Sequence, residues 1–361
     1  MIKVVTNFAD FKQLESEWDL LYSDGSYMPF QSFDYNYLSW RDFSNEGCML
    51  YIVCYYAEQE NSACAIFPFC IDSHMCLRFM NDNHTDYQTA LIRVDFRTNY
   101  SMYEEVFGLL MQESRFNRIF LNHLMHNDLL IPYFGHFNRN AKIYRTENYS
   151  FFSVNSLPAD KTYIDCLRHL TAKERNRLKN TEKKMVNSEV RILSAINGDE
   201  YPEETIEMLI QTMIEHGIRT EEYFAPALRL LFKDLYNTKL LAIALIMDDG
   251  KVGSASLFYR YNMDKDYIQW VILYADKKYN LWNKLKILEY MYGKGGGVFN
   301  FGRGAYPYKV QHFKPVIQNL FCIDLSKSDC LRYVLQVKDN CNLLKSIISR
   351  SLHHFINKCF S

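Results

Sequence analysis

The chain has 361 residues, 48% of them hydrophobic, which is enough for two ordinary domains with sizeable cores. Its formal net charge of -1 at pH 7 provides no overall field that would favour binding to nucleic acid or to a membrane surface. The ten cysteines lack metal-binding spacing, and the sequence has neither a signal peptide nor an apolar run of about 18 residues, so we expect a cytoplasmic protein with free thiols, no metal and no membrane insertion.

The first part of the chain alternates strand patterns with amphipathic helices, and we assign residues 1–156 to an N-terminal domain. Asp10 is the predicted cap of a helix whose apolar stripe includes Trp18. Further helices are predicted at 33–43 and 102–112, and strands at 2–6, 49–57, 63–71, 76–80, 118–124 and, once or twice, within 141–154. A polar loop follows the 76–80 strand, and it could reach a cleft between domains, but its composition is more typical of a surface loop. Its polar members are Asn81, Asp82, His84, Asp86 and Tyr87.

Residues 157–325 are predicted to form a second domain, which begins after Leu157-Pro158. Residues 161–186 are predicted as one long helix whose second half is rich in Lys and Arg. A solvated face is the usual explanation of such a charge run, and contact with a polyanion is the alternative. Strands are predicted at 189–196, 240–247, 252–259, 266–274, 298–301 and 316–325, and helices at 202–216, 223–236 and 281–292. Residues 326–361 are predicted to be a helical appendage that packs on the second domain.

The stretch from Val298 to Pro315 carries the clearest functional pattern. A short apolar strand ends at Gly302-Arg303-Gly304, and Tyr308-Lys309 follows. Glycines that flank an arginine let the backbone approach a ligand closely, and Arg and Lys at the end of a strand suit a phosphate or a carboxylate. A tight turn with two solvated cations is the alternative explanation.

The two halves repeat one plan, in which a strand and helices lead to a meander of three strands, a helix, a strand and closing strands. This order predicts an α/β (α+β) fold with two domains, each containing a mixed, mostly antiparallel sheet flanked by helices. We expect the two copies to meet at a groove whose positive side belongs to the second copy.

This plan resembles the GNAT fold, repeated twice, and the sequence is similar to tandem-GNAT acyltransferases of the CelD-like and BioF-like group, relatives of the FemAB peptidyltransferases. Four stretches carry the resemblance. They are LESEWDLLY with Pro29-Phe30-Gln31-Ser32 and Tyr37-Leu38-Ser39-Trp40, then Ala65-Ile66-Phe67-Pro68-Phe69, then Arg175-Asn176-Arg177-Leu178-Lys179, and finally Asn300-Phe301-Gly302-Arg303-Gly304 with Tyr308-Lys309.

The resemblance implies transfer of an acyl group from acyl-CoA, such as acetyl-CoA, to a small-molecule amine. An amino sugar or sugar nucleotide of a surface polysaccharide is the acceptor that the family suggests. The first alternative is a FemAB-type enzyme that uses aminoacyl-tRNA, and the second is a non-catalytic binding module. The sequence leaves the acceptor, the acyl chain and the oligomeric state open.

Proton transfer is assigned to four residues. Glu215 and His216 end a helix that is expected to flank the acceptor cleft, and either could accept a proton. A histidine that interacts with the dipole at the end of the helix is the alternative. Tyr274 and Tyr308 are candidate acids for the leaving group, and the fold implies an oxyanion donor among the backbone amides of residues 271–274.

The residues that are predicted to bind the substrate and the acyl donor are mostly lysines and arginines. Arg303 and Lys309, with Arg175 from the basic helix, are the predicted substrate-binding residues. GNAT enzymes usually hold the CoA pyrophosphate with a glycine-rich loop at the N-terminus of a helix, whereas residues 276–284 contain no glycine here. The predicted donor-binding residues are therefore Lys277, Lys278, Asn280 and Lys284.

Overall fold

The computed structural model describes residues 1–43, 47–137, 141–154, 162–165, 167–262 and 265–327. The predicted boundary between residues 156 and 157 lies outside the described residues, as does the predicted appendage from residue 328 onward. Among the described residues, six cysteines are unpaired and five of these are buried. No helix in this described part is long and apolar enough to cross a bilayer.

The strands are β1 (Ile2–Val5), β2 (Met49–Tyr55), β3 (Ala65–Ile71), β4 (Cys76–Phe79), β5 (Leu91–Ile92), β6 (Arg118–Met125), β7 (Lys142–Val154), β8 (Ser188–Leu193), β9 (Leu241–Asp248), β10 (Lys251–Tyr261), β11 (Asp266–Tyr274), β12 (Gly297–Arg303) and β13 (Val316–Ser326). The helices are α1 (Phe8–Gln13), α2 (Glu15–Asp24), α3 (Phe33–Asp42), α4 (Tyr100–Gln112), α5 (Leu130–Phe137), α6 (Ala172–Glu182), α7 (Glu203–Glu215), α8 (Pro226–Asn237), α9 (Lys277–Gly293) and α10 (Pro307–Val310).

The predicted fold class is confirmed, because the strands form a mixed, mostly antiparallel sheet that is flanked by helices. The strand order is β1-β2-β3-β4-β6-β13-β7-β12-β11-β10-β9-β8, and β5 pairs with β3 at the side. Each half contains an antiparallel run of four strands followed by a parallel neighbour. These parallel pairs are β4 with β6 and β11 with β12.

The sheets of the two halves are continuous, which the sequence does not reveal. The closing strand of each half pairs with the other half, because β7 lies beside β12 and β13 lies beside β6. The two exchanged strands also pair with each other. The bidentate ion pair of Arg118 with Asp324, with both N–O distances 2.8 Å, joins β6 to the exchanged strand β13.

Alternating side chains build a core on each face of the sheet. In β2, Tyr51 and Val53 pack with α4, whereas Ile52 and Cys54 pack with α1 to α3. In the second half, α9 covers one face, and α7 and α8 cover the other.

The two halves also share a core. Phe30 and Tyr35 of the first half belong to the core of α7 and α8, and the rings of Phe30 and Tyr259 lie 5.0 Å apart. This packing fixes the first half against β10 and β11, beside the candidate site.

Two helix predictions are wrong, and capping explains both. Residues 161–186 do not form one helix: α6 begins at Ala172, because Thr171 and Glu174 form a capping box that starts the helix there. The first helix is capped by Asn7, which accepts a hydrogen bond from the Asp10 amide, and not by Asp10.

Candidate active site

The parallel strands β11 and β12 separate towards their carboxyl ends. They pair only at Tyr267 with Phe299 and at Ile268 with Asn300, although both strands continue further. Gln269 and Val271 of β11 face consecutive residues of β10, so Trp270 is an extra residue in a β-bulge, which bends the strand. Both separated strands line a cavity of about 140 Å³.

A larger cavity of about 510 Å³ extends this opening between the two halves of the chain. Both cavities share five lining residues, so we treat them as one groove: Asp86, Tyr223, Trp270, Val271 and Arg303. The first half contributes Phe43, Asn83 and His84 to its wall. The predicted groove between the two copies is therefore present.

The polar loop after β4 is part of this groove, so the expectation of a surface loop is wrong. Asn81, Asp82 and Tyr87 are buried. The Tyr87 hydroxyl donates a hydrogen bond to Asn300 Oδ1 at 2.7 Å, and the Arg303 amide donates to Asp86 Oδ2 at 3.2 Å. Asn81 donates to the Asn36 carbonyl at 3.2 Å and Asp82 pairs with Arg78, so contacts within the first half also replace water here. Most of these partners come from distant parts of the chain, which is why the composition of the loop alone is misleading.

The glycine that precedes Arg303 is required by this close approach. Gly302 has a φ of +74°, and a Cβ atom placed there would lie 2.5 Å from Asp86 Oδ2. Its amide donates to Asn300 Oδ1 at 2.8 Å. At this loop the backbone therefore comes close to a carboxylate of the first half, and the predicted approach to a ligand stays a prediction.

Arg303 joins the halves through its guanidinium. Nε lies 3.3 Å from a Glu147 oxygen and 3.8 Å from Asp86, and Nη1 contacts the imidazole of His123. Burial, together with the nearby Arg303 charge, lowers the pKa of His123 to about 3, so this imidazole is neutral. Arg303 thus lines the groove but already has carboxylate partners.

Lys309 lies close behind Arg303, and its ammonium has no carboxylate within 4 Å among the described residues. Lys309 Nζ donates to the Arg303 carbonyl at 2.5 Å and lies 5.4 Å from the Tyr306 ring centroid. Burial lowers the pKa of Lys309 to about 8. A cation that is weakly paired and close to its titration point can exchange a proton near neutral pH.

Tyr308, a predicted acid, lines the same groove, and its ring lies 5.5 Å from Lys284 Nζ. Burial raises the pKa of Tyr308 to about 12, so its hydroxyl remains protonated at neutral pH. Tyr274 is half-buried at the end of β11 and is not among the residues that line the groove.

The predicted general bases lie elsewhere. Glu215 and His216 are exposed where α7 ends, and the groove is lined instead by the following residues, Arg219 and Tyr223. The histidine that lines the groove is His84, whose ring stacks on Phe43. Burial and the Arg303 charge lower the pKa of His84, so it is neutral at pH 7.

Arg175 does not reach the groove. Its guanidinium donates to the backbone carbonyls of Leu167 and Leu170, which lie in the turn before α6. This contact stabilises the turn that precedes the capping box.

Three of the four predicted donor-binding residues already have partners within the protein. Lys277 and Lys278 are exposed, and Lys278 Nζ lies 3.3 Å from Asp248. Asn280 accepts hydrogen bonds from Lys284, which is only 1% exposed.

A carboxylate also occupies the helix end where a pyrophosphate would bind. The Asp276 carboxylate accepts the Lys278 amide at 2.8 Å and so caps α9. A phosphate placed there would meet a negative charge. Among the described residues, no group of three or more His, Cys, Asp or Glu is arranged to hold a metal ion.

No family model and no curated protein matches the chain. Solved structures do match it over most of its length. L-PGS from Bacillus licheniformis superposes with a TM-score of 0.57 at 11% identity, covering 93% of this chain and 96% of that one. FemX superposes with a TM-score of 0.56 at 8% identity, covering 93% and 99%.

The C-terminal DUF2156 domain of a protein named as a lysylphosphatidylglycerol synthetase, from Agrobacterium fabrum, gives a TM-score of 0.52 at 8% identity. This match covers 92% of this chain and 96% of that one. At these identities the similarity shows a common fold.

Proposed function

We propose that this protein transfers an acyl or aminoacyl group to an amine that binds in the groove between its two halves. The observation that carries the proposal is the position of Lys309 and Tyr308 beside the opening between β11 and β12, in a groove whose first-half wall includes His84. The four sequence stretches that resemble CelD-like and FemAB enzymes support the same chemistry. The amino-sugar acceptor stays a suggestion from that resemblance.

The groove residues supply the proton transfers that this reaction needs. The attacking nitrogen must be neutral, and His84 is an uncharged base that can take its proton. The C–N bond then forms at the donor carbonyl, and the charged Lys309 can stabilise the resulting oxyanion. When the C–O bond of an ester donor breaks, the departing oxygen takes a proton from Lys309, and both side chains regain their starting states by exchange with solvent.

We infer that the donor is an aminoacyl ester of RNA rather than acyl-CoA. The Asp276 carboxylate at the start of α9 disfavours a pyrophosphate. The FemAB enzymes that the sequence resembles use aminoacyl-tRNA, and FemX has a similar fold. Acyl-CoA remains the second candidate, because the CelD-like stretches favour it.

The basic face of α6 supports an RNA donor. Lys173 and Arg177 on α6, and Lys183 and Lys184 directly after its end, are exposed. The α6 helix lies beside the loop that follows Lys309, since Glu174 pairs with Lys314 at 2.5 Å. A polyanion bound to this face would therefore lie next to the groove.

The donor assignment has a direct test. We expect purified protein to release a labelled amino acid from aminoacyl-tRNA and to transfer it to an added amine, and we expect no thermal stabilisation by CoA or acetyl-CoA. The double variant Lys173→Glu, Arg177→Glu should weaken tRNA binding about 10-fold at low salt and lower the salt dependence, because phosphate contacts are lost.

The exposed Lys251→Glu in the β9–β10 hairpin is the matched control and should bind tRNA normally. Stabilisation by acetyl-CoA without tRNA binding would reassign the donor to CoA. If neither donor is bound or consumed, the protein is a binding module and the transfer proposal fails.

The pH profile of kcat/KM should fall on both the acid and the alkaline side. We expect kcat/KM to fall at acid pH as His84 is protonated, and to fall above about pH 8 as Lys309 loses its charge. Lys309→Arg should remove the alkaline limb, because an arginine stays charged. The pH profiles of the wild-type protein and of Lys309→Arg are measured with the same acceptor, so the titration of the acceptor affects both equally. If the rate falls at the same alkaline pH in both proteins, Lys309 is not the group that causes the fall.

A further inference from the structure

A second cavity lies in the first half, at the carboxyl end of β6. Its volume of about 270 Å³ is close to the lower end of the range of about 300–1,000 Å³ that is usual for small-molecule sites. Its walls include Tyr27, Gln31, Gln88, Arg97, Asn127 and Asp128.

This cavity is the counterpart, in the first copy of the repeat, of the opening beside Lys309. The strand β6 is parallel to β4, as β12 is to β11, and the cavity lies after β6 as the Lys309 loop lies after β12. The segment around Gln88 fills the gap between β4 and β6, since the Gln88 amide donates to the His123 carbonyl at 3.0 Å. Asp86 lines the groove, whereas Tyr87 and Gln88 line this cavity, so the two sites lie on opposite sides of one segment.

Two opposite charges, Asp128 and Arg97, line the cavity, and each makes hydrogen bonds to neutral groups without an oppositely charged partner among the described residues. Asp128 is only 8% exposed and accepts the Leu130 amide at 2.9 Å. The Arg97 guanidinium lies 5.7 Å from the Tyr27 ring centroid and donates to the Ile92 carbonyl at 3.4 Å. Among the described residues, no cation lies within 4 Å of the Asp128 carboxylate and no carboxylate lies within 4 Å of Arg97.

A buried carboxylate without a counter-charge is unfavourable, and here burial raises the pKa of Asp128 to about 6. Capping α5 requires one side-chain oxygen but not a negative charge, because an asparagine can cap equally well. A helix cap therefore does not explain why an ionisable group lies at the wall of a cavity together with an arginine.

We infer that this cavity binds a small molecule that carries both an ammonium and an anionic oxygen group, the ammonium on Asp128 and the anionic group on Arg97. Each charge of the ligand would supply the partner that the protein leaves out, and such charge-assisted contacts favour the doubly charged molecule over one with a single charge. Free amino acids carry a carboxylate for Arg97, and phosphorylethanolamine carries a phosphate. The site is separate from the groove and does not depend on the proposed transfer reaction.

The test measures thermal stability of the full chain with single probes at equal concentration. The probes are each of the twenty standard amino acids, phosphorylethanolamine, ethylamine and sodium acetate. We expect at least one doubly charged probe to raise the Tm by several degrees, and ethylamine and acetate to give no shift. Whether an amino acid or phosphorylethanolamine gives the shift identifies the anionic group.

Three variants decide whether the ligand occupies this cavity. Asp128→Asn keeps the oxygen that caps α5, and Arg97→Gln keeps a hydrogen-bond donor, so we expect both to fold and to lose at least 10-fold in affinity for the probe. Arg219→Ala removes an exposed side chain that lines only the groove, so it should leave this binding unchanged. The inference is overturned if no doubly charged probe shifts the Tm, if both cavity variants still bind, or if Arg219→Ala alone abolishes the shift.

Discussion

Replacing Lys309 by alanine should lower the rate of transfer by about 10²–10³-fold, the effect expected when an oxyanion donor is removed. Lys309 lies beside the opening of β11 and β12 without a carboxylate partner among the described residues, and its Nζ donates a hydrogen bond to the Arg303 carbonyl. The fold should persist, because the side chain makes one hydrogen bond to the protein and belongs to none of the hydrophobic cores. The measurement is single-turnover transfer from labelled aminoacyl-tRNA.

Lys277→Ala is the matched control, since Lys277 is exposed at the start of α9 and should keep the wild-type rate. Lys309→Arg should retain part of the activity at neutral pH, because the charge remains. Unchanged transfer in Lys309→Ala would exclude the proposed role, and loss of the native Tm would instead make the loop a structural element.

Gly302→Ala should both destabilise the protein and abolish transfer. Alanine at a φ of +74° is strained, and its Cβ would also lie 2.5 Å from the Asp86 carboxylate. Asp86 accepts the Arg303 amide, so the clash would push apart the two halves of the groove. The measurement is urea unfolding together with the transfer assay.

Gly198→Ala is a control that has the backbone strain of a positive φ but no steric clash. Gly198 has a φ of +80°, but no atom lies within 4 Å of the Cβ position. We expect Gly302→Ala to lower the free energy of unfolding by about 1–3 kcal/mol more than Gly198→Ala does, the usual effect of overpacking. Equal losses in the two variants would show that Asp86 does not restrict this position.

Local patterns in the sequence predicted most of the elements and the class of fold. The Asp-Gly turn produced the hairpin of β9 and β10, and the apolar run before Gly302 produced β12. These features depend on residues that are close in the chain, where periodicity and turn chemistry act directly.

Long-range pairing could not be predicted in the same way. The exchange of β7 and β13 depends on which edge each strand meets, and no alternation of side chains specifies a distant partner. The same limitation applies to the groove. His84 lies there because the loop after β4 is buried against Asn300 and Arg303. The prediction of Glu215 and His216 depends only on their place at the end of a helix, which does not specify what that end contacts.

The crossing of the two closing strands has a consequence for how the chain acquires its structure. During synthesis, β6 leaves the ribosome long before β13, its neighbour in the finished sheet, so the first half emerges with one backbone edge open. Such an edge invites pairing with other chains until the last strand arrives. Neither half is complete without the other, and we therefore expect the whole chain, rather than one of its repeats, to be the unit that folds cooperatively.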